Sequence, residues 1–106
     1  MQTDSDKSVL LEAQGFVHGD RQTDYGHPLD NYTRVARIWT AMLAEKLKPG
    51  ETIDADLAVL MLAGMKIGRE LGLEKRDNRT DIAGYAEVLD MCKRERARRE
   101  LPEGPQ

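Results

Sequence analysis

Hydrophobic residues along the chain recur mostly with a helical period. In residues 5–17, Val9, Leu10, Ala13, Phe16 and Val17 stand three and four apart, which predicts an amphipathic first helix. The next segment, HGDRQTDYGH (residues 18–27), holds two glycines and has neither helical nor strand periodicity, so an irregular connection is expected. A second helix starts at Pro28, which loses no needed N–H in a first turn, and Asp30 there complements the helix dipole. Its apolar positions are Tyr32, Val35, Ile38, Trp39, Met42, Leu43 and Leu47, and Pro49-Gly50 stops it. Thr52 is placed to cap a third helix with Asp54 and Asp56 in its first turn. Residues 57–65 are apolar all round, so this helix is expected to be the most buried. Gly64, Gly68 and Gly72 form a stripe along it, suited to tight helix packing or to making room for a ligand. After a break at residues 72–76, Asp77 or Asn78 caps a fourth helix that runs to about Glu100, with Ile82, Tyr85, Ala86, Val88, Leu89 and Cys92 on its apolar face. Residues 101–106 contain two prolines and read as a disordered tail.

This pattern predicts an all-α fold over residues 1–100, a single domain built as a four-helix, up-down antiparallel bundle. Short connections favour antiparallel neighbours. That order brings the end of helix one, the start of helix two, the end of helix three and the start of helix four together. The residues that converge are Asp20, Arg21, Asp24, Tyr25, His27, Asn31 and Arg34 from the first half. From the second half come Lys66, Arg69, Asp77, Asn78, Asp81 and Tyr85. Asp77, Asp81 and Tyr85 share a face at four-residue spacing, and Lys66 and Arg69 sit one turn apart. Arginine grips phosphate with two prongs, lysine supplies a compact charge, and paired carboxylates hold Mg²⁺ through oxygens and water. The cluster therefore suits a nucleotide or another phosphorylated small molecule, and a network of surface salt bridges is the simpler alternative. Asp54 and Asp56 should lie near the opposite end as helix-dipole residues, reaching the polar end only across a subunit interface.

Composition narrows the function classes. The chain has 106 residues with 16 Lys+Arg against 19 Asp+Glu, a net charge of −3 that gives no general attraction for nucleic acid or an anionic membrane. A chain this short buries only about 60 to 70% of its unfolded surface, so self-association would supplement its core. The single Cys92 forms no internal disulfide and reads as core, which fits a reducing cytoplasm. No apolar run approaches the roughly 20 residues of a membrane span, and the N-terminus has no signal-peptide pattern. His18 and His27 lack a third metal ligand at a telling spacing, so hydrogen bonding is their expected role. Lys93, Arg94, Arg96, Arg98 and Arg99 are interrupted by glutamates and suit a solvated helix C-terminus, and Trp39 reads as core or interface.

The segments GDRQTDYGHPLDNY (residues 19–32), ARIW (36–39), LAGMKIGRE (62–70) and DNRTDIAGYAEV (77–88) together resemble a family of small phage-encoded proteins of unassigned function. The likeness covers residues 9–91. That family in turn resembles the all-α nucleoside triphosphate pyrophosphohydrolases of the MazG type, whose acidic helices hold Mg²⁺ and which act as dimers or tetramers. Their second acidic motif, Glu-x-x-Asp, is matched by Asn78-x-x-Asp81 with Ile82 and Tyr85 behind it. Their first motif, two adjacent glutamates with a third three residues on, is absent, and Asp20, Asp77 or another subunit's Asp56 are the residues available to replace it.

The resemblance implies a MazG-like homodimer or homotetramer of the host-cell cytoplasm with Mg²⁺ as cofactor. Asp77 and Asp81 are the catalytic and metal-ligand candidates, and Arg21, Lys66 and Arg69 the phosphate ligands. Asp20, Tyr25, Asn31, Asn78 and Tyr85 complete the expected ligand site. If the chain is catalytic, a metal-activated water is the expected nucleophile. A nucleotide-binding sponge or regulator without turnover, and an interaction protein that docks on a host target, are the alternatives.

Overall fold

The computed structural model describes residues 7–102, without the side chain of Asp20. All regular structure among them is helical: α1 (Val9–His18), α2 (Asp20–Tyr25), α3 (Pro28–Met42), α4 (Ala55–Gly72) and α5 (Arg76–Glu100). The predicted start of the first helix at residue 5 and most of the predicted tail, residues 103–106, lie outside the described residues.

Several boundaries differ from the sequence reading, each for a local reason. The expected irregular connection contains α2, a six-residue helix too short to show a period. It is closed by Gly26 N–H donating to the Gln22 carbonyl at 2.9 Å, and Gly26, at φ 77°, then turns the chain into α3. His27 caps α3, its Nδ1 accepting from Leu29 N–H at 3.0 Å. The second long helix ends at Met42, short of Leu47, because Leu43 leaves helical geometry. Thr40 ties down the return: its Oγ1 donates to the Ala36 carbonyl at 2.8 Å and accepts from Ile53 N–H at 2.9 Å, seating Ile53 in the core. Asp54, not Thr52, caps α4, with Oδ1 accepting from Leu57 N–H at 2.8 Å. Neither Asp77 nor Asn78 caps α5, since that helix starts earlier, after Lys75.

The helices also run in a different order from the predicted one. Glu12 pairs with Arg76 at 2.9 Å and His18 with Glu87 at 3.2 Å, so α1 lies parallel to α5, not antiparallel. The extra helix α2, with a glycine at each end, adds the reversal that the up-down reading lacked. Between α4 and α5 the order is antiparallel as expected: Lys66 meets Asp81 at 2.8 Å and Asp56 meets Arg96 at 2.8 Å. The main core gathers Val17, Leu29, Tyr32, Ala55, Val59, Val88, Met91 and Cys92, and a smaller cluster of Ala36, Ile53 and Ala58 is flanked by Trp39.

The basic run at the end of α5 does more than face water. Arg96 grips both oxygens of Asp56, and Arg99 grips both oxygens of Asp30 in the first turn of α3. Asp56 thus lies far from the polar group, as expected, and Arg96 holds its carboxyl below the ordinary carboxylate range. Cys92 is fully buried, and burial pushes its thiol up to about 11.

The expectation that α4 is the most buried helix fails. Only α3 and α5 pack on it, and Leu60, Ile67 and Leu71 stand 52%, 50% and 85% exposed. The helices spread over 52 × 45 × 19 Å with a radius of gyration of 16.5 Å. A compact domain of this length has about 13 Å.

Candidate functional site

A cavity of about 550 Å³ opens between α1, α2, the start of α3 and the first half of α5. This is within the range of small-molecule pockets, about 300–1,000 Å³. Along α5 its wall is one stripe of residues three and four apart: Asp77, Thr80, Asp81, Gly84, Tyr85 and Val88. Facing it are Phe16 and Val17 of α1, Arg21, Gln22 and Tyr25 of α2, and Asn31 and Tyr32 of α3.

At Gly84, α1 comes within van der Waals reach of α5: a β-carbon there would sit 3.5 Å from Val17 Cγ2, an ordinary contact. At the α1–α2 junction, a β-carbon on Gly19 would come within 2.5 Å of the Gly15 carbonyl oxygen, a contact only glycine avoids.

Thr80 is the most telling residue of the wall. It is 2% exposed, and among the described residues its Oγ1 has no hydrogen-bond partner. A helical threonine ordinarily bonds back to the carbonyl four residues earlier. Leaving a buried hydroxyl unpaired costs about 1–3 kcal/mol. The same cavity is lined by Phe16, Tyr25, Tyr32 and Tyr85, the one phenylalanine and all three tyrosines of the chain. Burial, and then the neighbouring Tyr85, raise the Tyr32 phenol above its ordinary value, so it stays a neutral O–H.

The structure brings Arg21, Tyr25, Asn31, Asp77, Asp81 and Tyr85 to this one cavity, as the sequence predicts. They meet along the side of α5, however, not at one end of a bundle. Lys66 stands one step behind the wall, bonded to Asp81. Arg69 is exposed on α4 and does not line the cavity. Asn78 turns away: its amide donates to Glu70 Oε1 at 3.2 Å and to the Leu73 carbonyl at 3.3 Å. Glu70 also receives Lys75 N–H at 2.8 Å and the Arg79 guanidinium, so Asn78 helps fix the α4–α5 corner. The Asp20 side chain lies outside the described residues. Sequence reasoning missed Phe16, Gln22, Tyr32 and Thr80, although Thr80 shares the stripe of Asp77, Gly84 and Val88.

No group of three or more His, Cys, Asp or Glu side chains able to hold a metal together occurs among the described residues. Asp77 and Asp81 provide two carboxylates, and Lys66 already engages one of them. His18 and His27 are occupied with Glu87 and the α3 cap.

No helix among the described residues is long and apolar enough to cross a membrane. The chain is 39% identical over 85 residues to the Gene 55 protein of Mycobacterium phage D29, a match covering 79% of this chain and 52% of that protein. It is 38% identical over 101 residues to the Gene 55 protein of Mycobacterium phage L5, covering 92% of this chain and 60% of that one. It therefore spans between half and two thirds of the length of these relatives. No solved structure matches. A domain of unknown function (DUF6378) matches residues 8–93, from the start of α1 into the second half of α5 and including every residue of the cavity wall. The expectation of a small phage family of unassigned function is met, and the chain belongs to the DUF6378 family.

Proposed function

We propose that the cavity binds a nucleotide or a related phosphorylated small molecule that carries a flat ring, in the cytoplasm of the phage's host. The four aromatic side chains of the wall beside the Arg21 guanidinium carry this reading, because flat apolar surface next to a cation suits a ring that bears a phosphate. The ring stacks on Tyr25, Tyr85 or Phe16. The Asn31 and Gln22 amides read its edge. Arg21, the one cation of the wall among the described residues, takes a phosphate.

Charge favours a ligand of low negative charge. Among the described side chains Arg21 contributes +1 and Asp77 and Asp81 contribute −2, and Lys66 on Asp81 balances them. A triphosphate has little to gain there unless it carries its own cation. Hydrolysis of the MazG type has the weaker support, since Asn78 is committed to Glu70 and no third carboxylate joins Asp77 and Asp81 among the described side chains. Binding without turnover, as a sponge or regulator, is the reading we adopt.

Calorimetry with the common nucleosides and their mono- and triphosphates, with and without Mg²⁺, tests it, with pyrophosphate release assayed alongside. Monophosphates are expected to bind more tightly than the matching nucleosides. Arg21→Ala is expected to erase that difference. No binding by any member of the panel refutes the reading, and pyrophosphate release restores the hydrolase.

A further inference from the structure

Each residue of a helix advances about 100° around the axis, so the residues of α4 can be placed by angle. Ile67, Leu60, Leu71, Gly64, Leu57, Gly68, Met61, Gly72 and Met65 follow one another, in that order, over an arc about 160° wide. All nine are exposed, and none is polar. Lys66, which reaches Asp81, lies about 180° from the middle of the arc, so this face points away from α5 and from the cavity.

The glycines give the second clue. A β-carbon on Gly64, Gly68 or Gly72 would meet nothing within 4 Å, so the single chain gains no packing from their small size. Glycine inside a helix is unfavourable relative to alanine. What glycine permits is the close approach of another backbone.

We propose that two copies of this chain pair through the outward face of α4, antiparallel, about a two-fold axis passing at Gly64. The face is complementary to itself about that point. Reflecting positions through residue 64 sets Leu60 against Gly68, Met61 against Ile67, Leu57 against Leu71, and Gly64 against itself. Each Leu60 finds a glycine hole opposite, as an isologous dimer requires. The arc spans about 21 Å from Leu57 to Leu71 and offers about 400 Å² on a helix about 10–12 Å across, so the pair buries about 800 Å². That is half a standard interface, which makes the pairing weak and concentration-dependent. It leaves the cavity untouched, so it stands or falls independently of the ligand.

Sedimentation velocity from 1 to 500 µM tests the pairing. The wild type is expected to move from 12.0 kDa at the dilute end toward twice that mass. Gly64→Ala/Gly68→Ala raises helix propensity and meets no atom of its own chain, so it folds. Its dissociation constant is expected to rise at least tenfold with helical circular dichroism retained or increased. Leu60→Lys is expected to remain monomeric throughout. A wild type of 12.0 kDa at every concentration overturns the proposal and leaves the face to a different protein. An association that both variants leave unchanged overturns it as well.

Discussion

Replacing Thr80 by valine separates what its hydroxyl costs the fold from what it contributes to binding. Valine keeps the branched shape and nearly the same helix propensity, so the change exchanges a hydroxyl for a methyl with little effect on the backbone. Thr80 is 2% exposed, and its Oγ1 is unpaired. Removing a buried polar group that has no partner recovers about 1–3 kcal/mol, and the new methyl adds up to about 0.8 kcal/mol of burial. Allowing for the cavity beside it, the unliganded protein should gain about 1–2 kcal/mol. For a domain of about 100 residues each kcal/mol raises the melting temperature by about 4–8 °C, so a rise of about 5–10 °C is expected. Thermal unfolding by circular dichroism measures it, and urea unfolding at unchanged m-value checks that the denatured state is not the cause. With the hydroxyl closed off from the cavity, the same variant should bind the ligand with unchanged affinity. A lower melting temperature would mean that the hydroxyl is already satisfied in the free protein, and a loss of affinity would mean that it turns to meet the ligand.

Gly26→Ala forces a β-carbon onto a backbone at φ 77°, ψ −162°, and should cost about 1–3 kcal/mol in urea unfolding. Gly19→Ala should cost at least as much, because its β-carbon meets a backbone oxygen that no rotamer change can move. Either variant at wild-type stability would refute the strain reading of that turn. Glu95, bonded first to Arg98 and then to Arg99, has its carboxyl lowered from 4.5 to about 2. A depressed carboxylate contributes stability that is complete above its unfolded value and fades as pH falls through the folded one. Glu95→Gln should therefore flatten the fall in melting temperature between pH 4.5 and about 2, and an unchanged slope would show the pair to be idle. With its thiol pushed up to about 11 by burial, Cys92 should react with a disulfide reagent at pH 8 only as fast as the protein unfolds. Immediate reaction would contradict that burial.

The long helices were legible because Pro28, Pro49-Gly50 and Gly72 punctuate strongly periodic segments. Their relative directions were not, since these depend on α2, whose six residues are too few to show a period. The charged members of the cavity could be found by type and spacing. Thr80 could not: a lone threonine in a helix carries no signal until burial and missing partners are known. The aromatic wall was hidden because its members come from α1, α2, α3 and α5 in a chain with only 5% aromatic residues. For α4, uniform apolarity predicts burial on all sides, whereas two neighbouring helices cover only half of a cylinder.

The attachment of α1 has a consequence for how the molecule breathes. It packs on α2 and α5 but touches neither α3 nor α4. Its hold on α5 joins two ion pairs to the packing of Ala13 and Val17 over Gly84. Core elements open only near the free energy of global unfolding, whereas helices at the edge of a fold open more cheaply. Backbone amides of α1 should thus exchange with deuterated water well before those of Val59 or Met91. The seam along which α1 separates is a wall of the cavity itself. A guest seated there would bridge the two sides, and its occupancy would be read as slowed exchange in a helix at the edge of the fold.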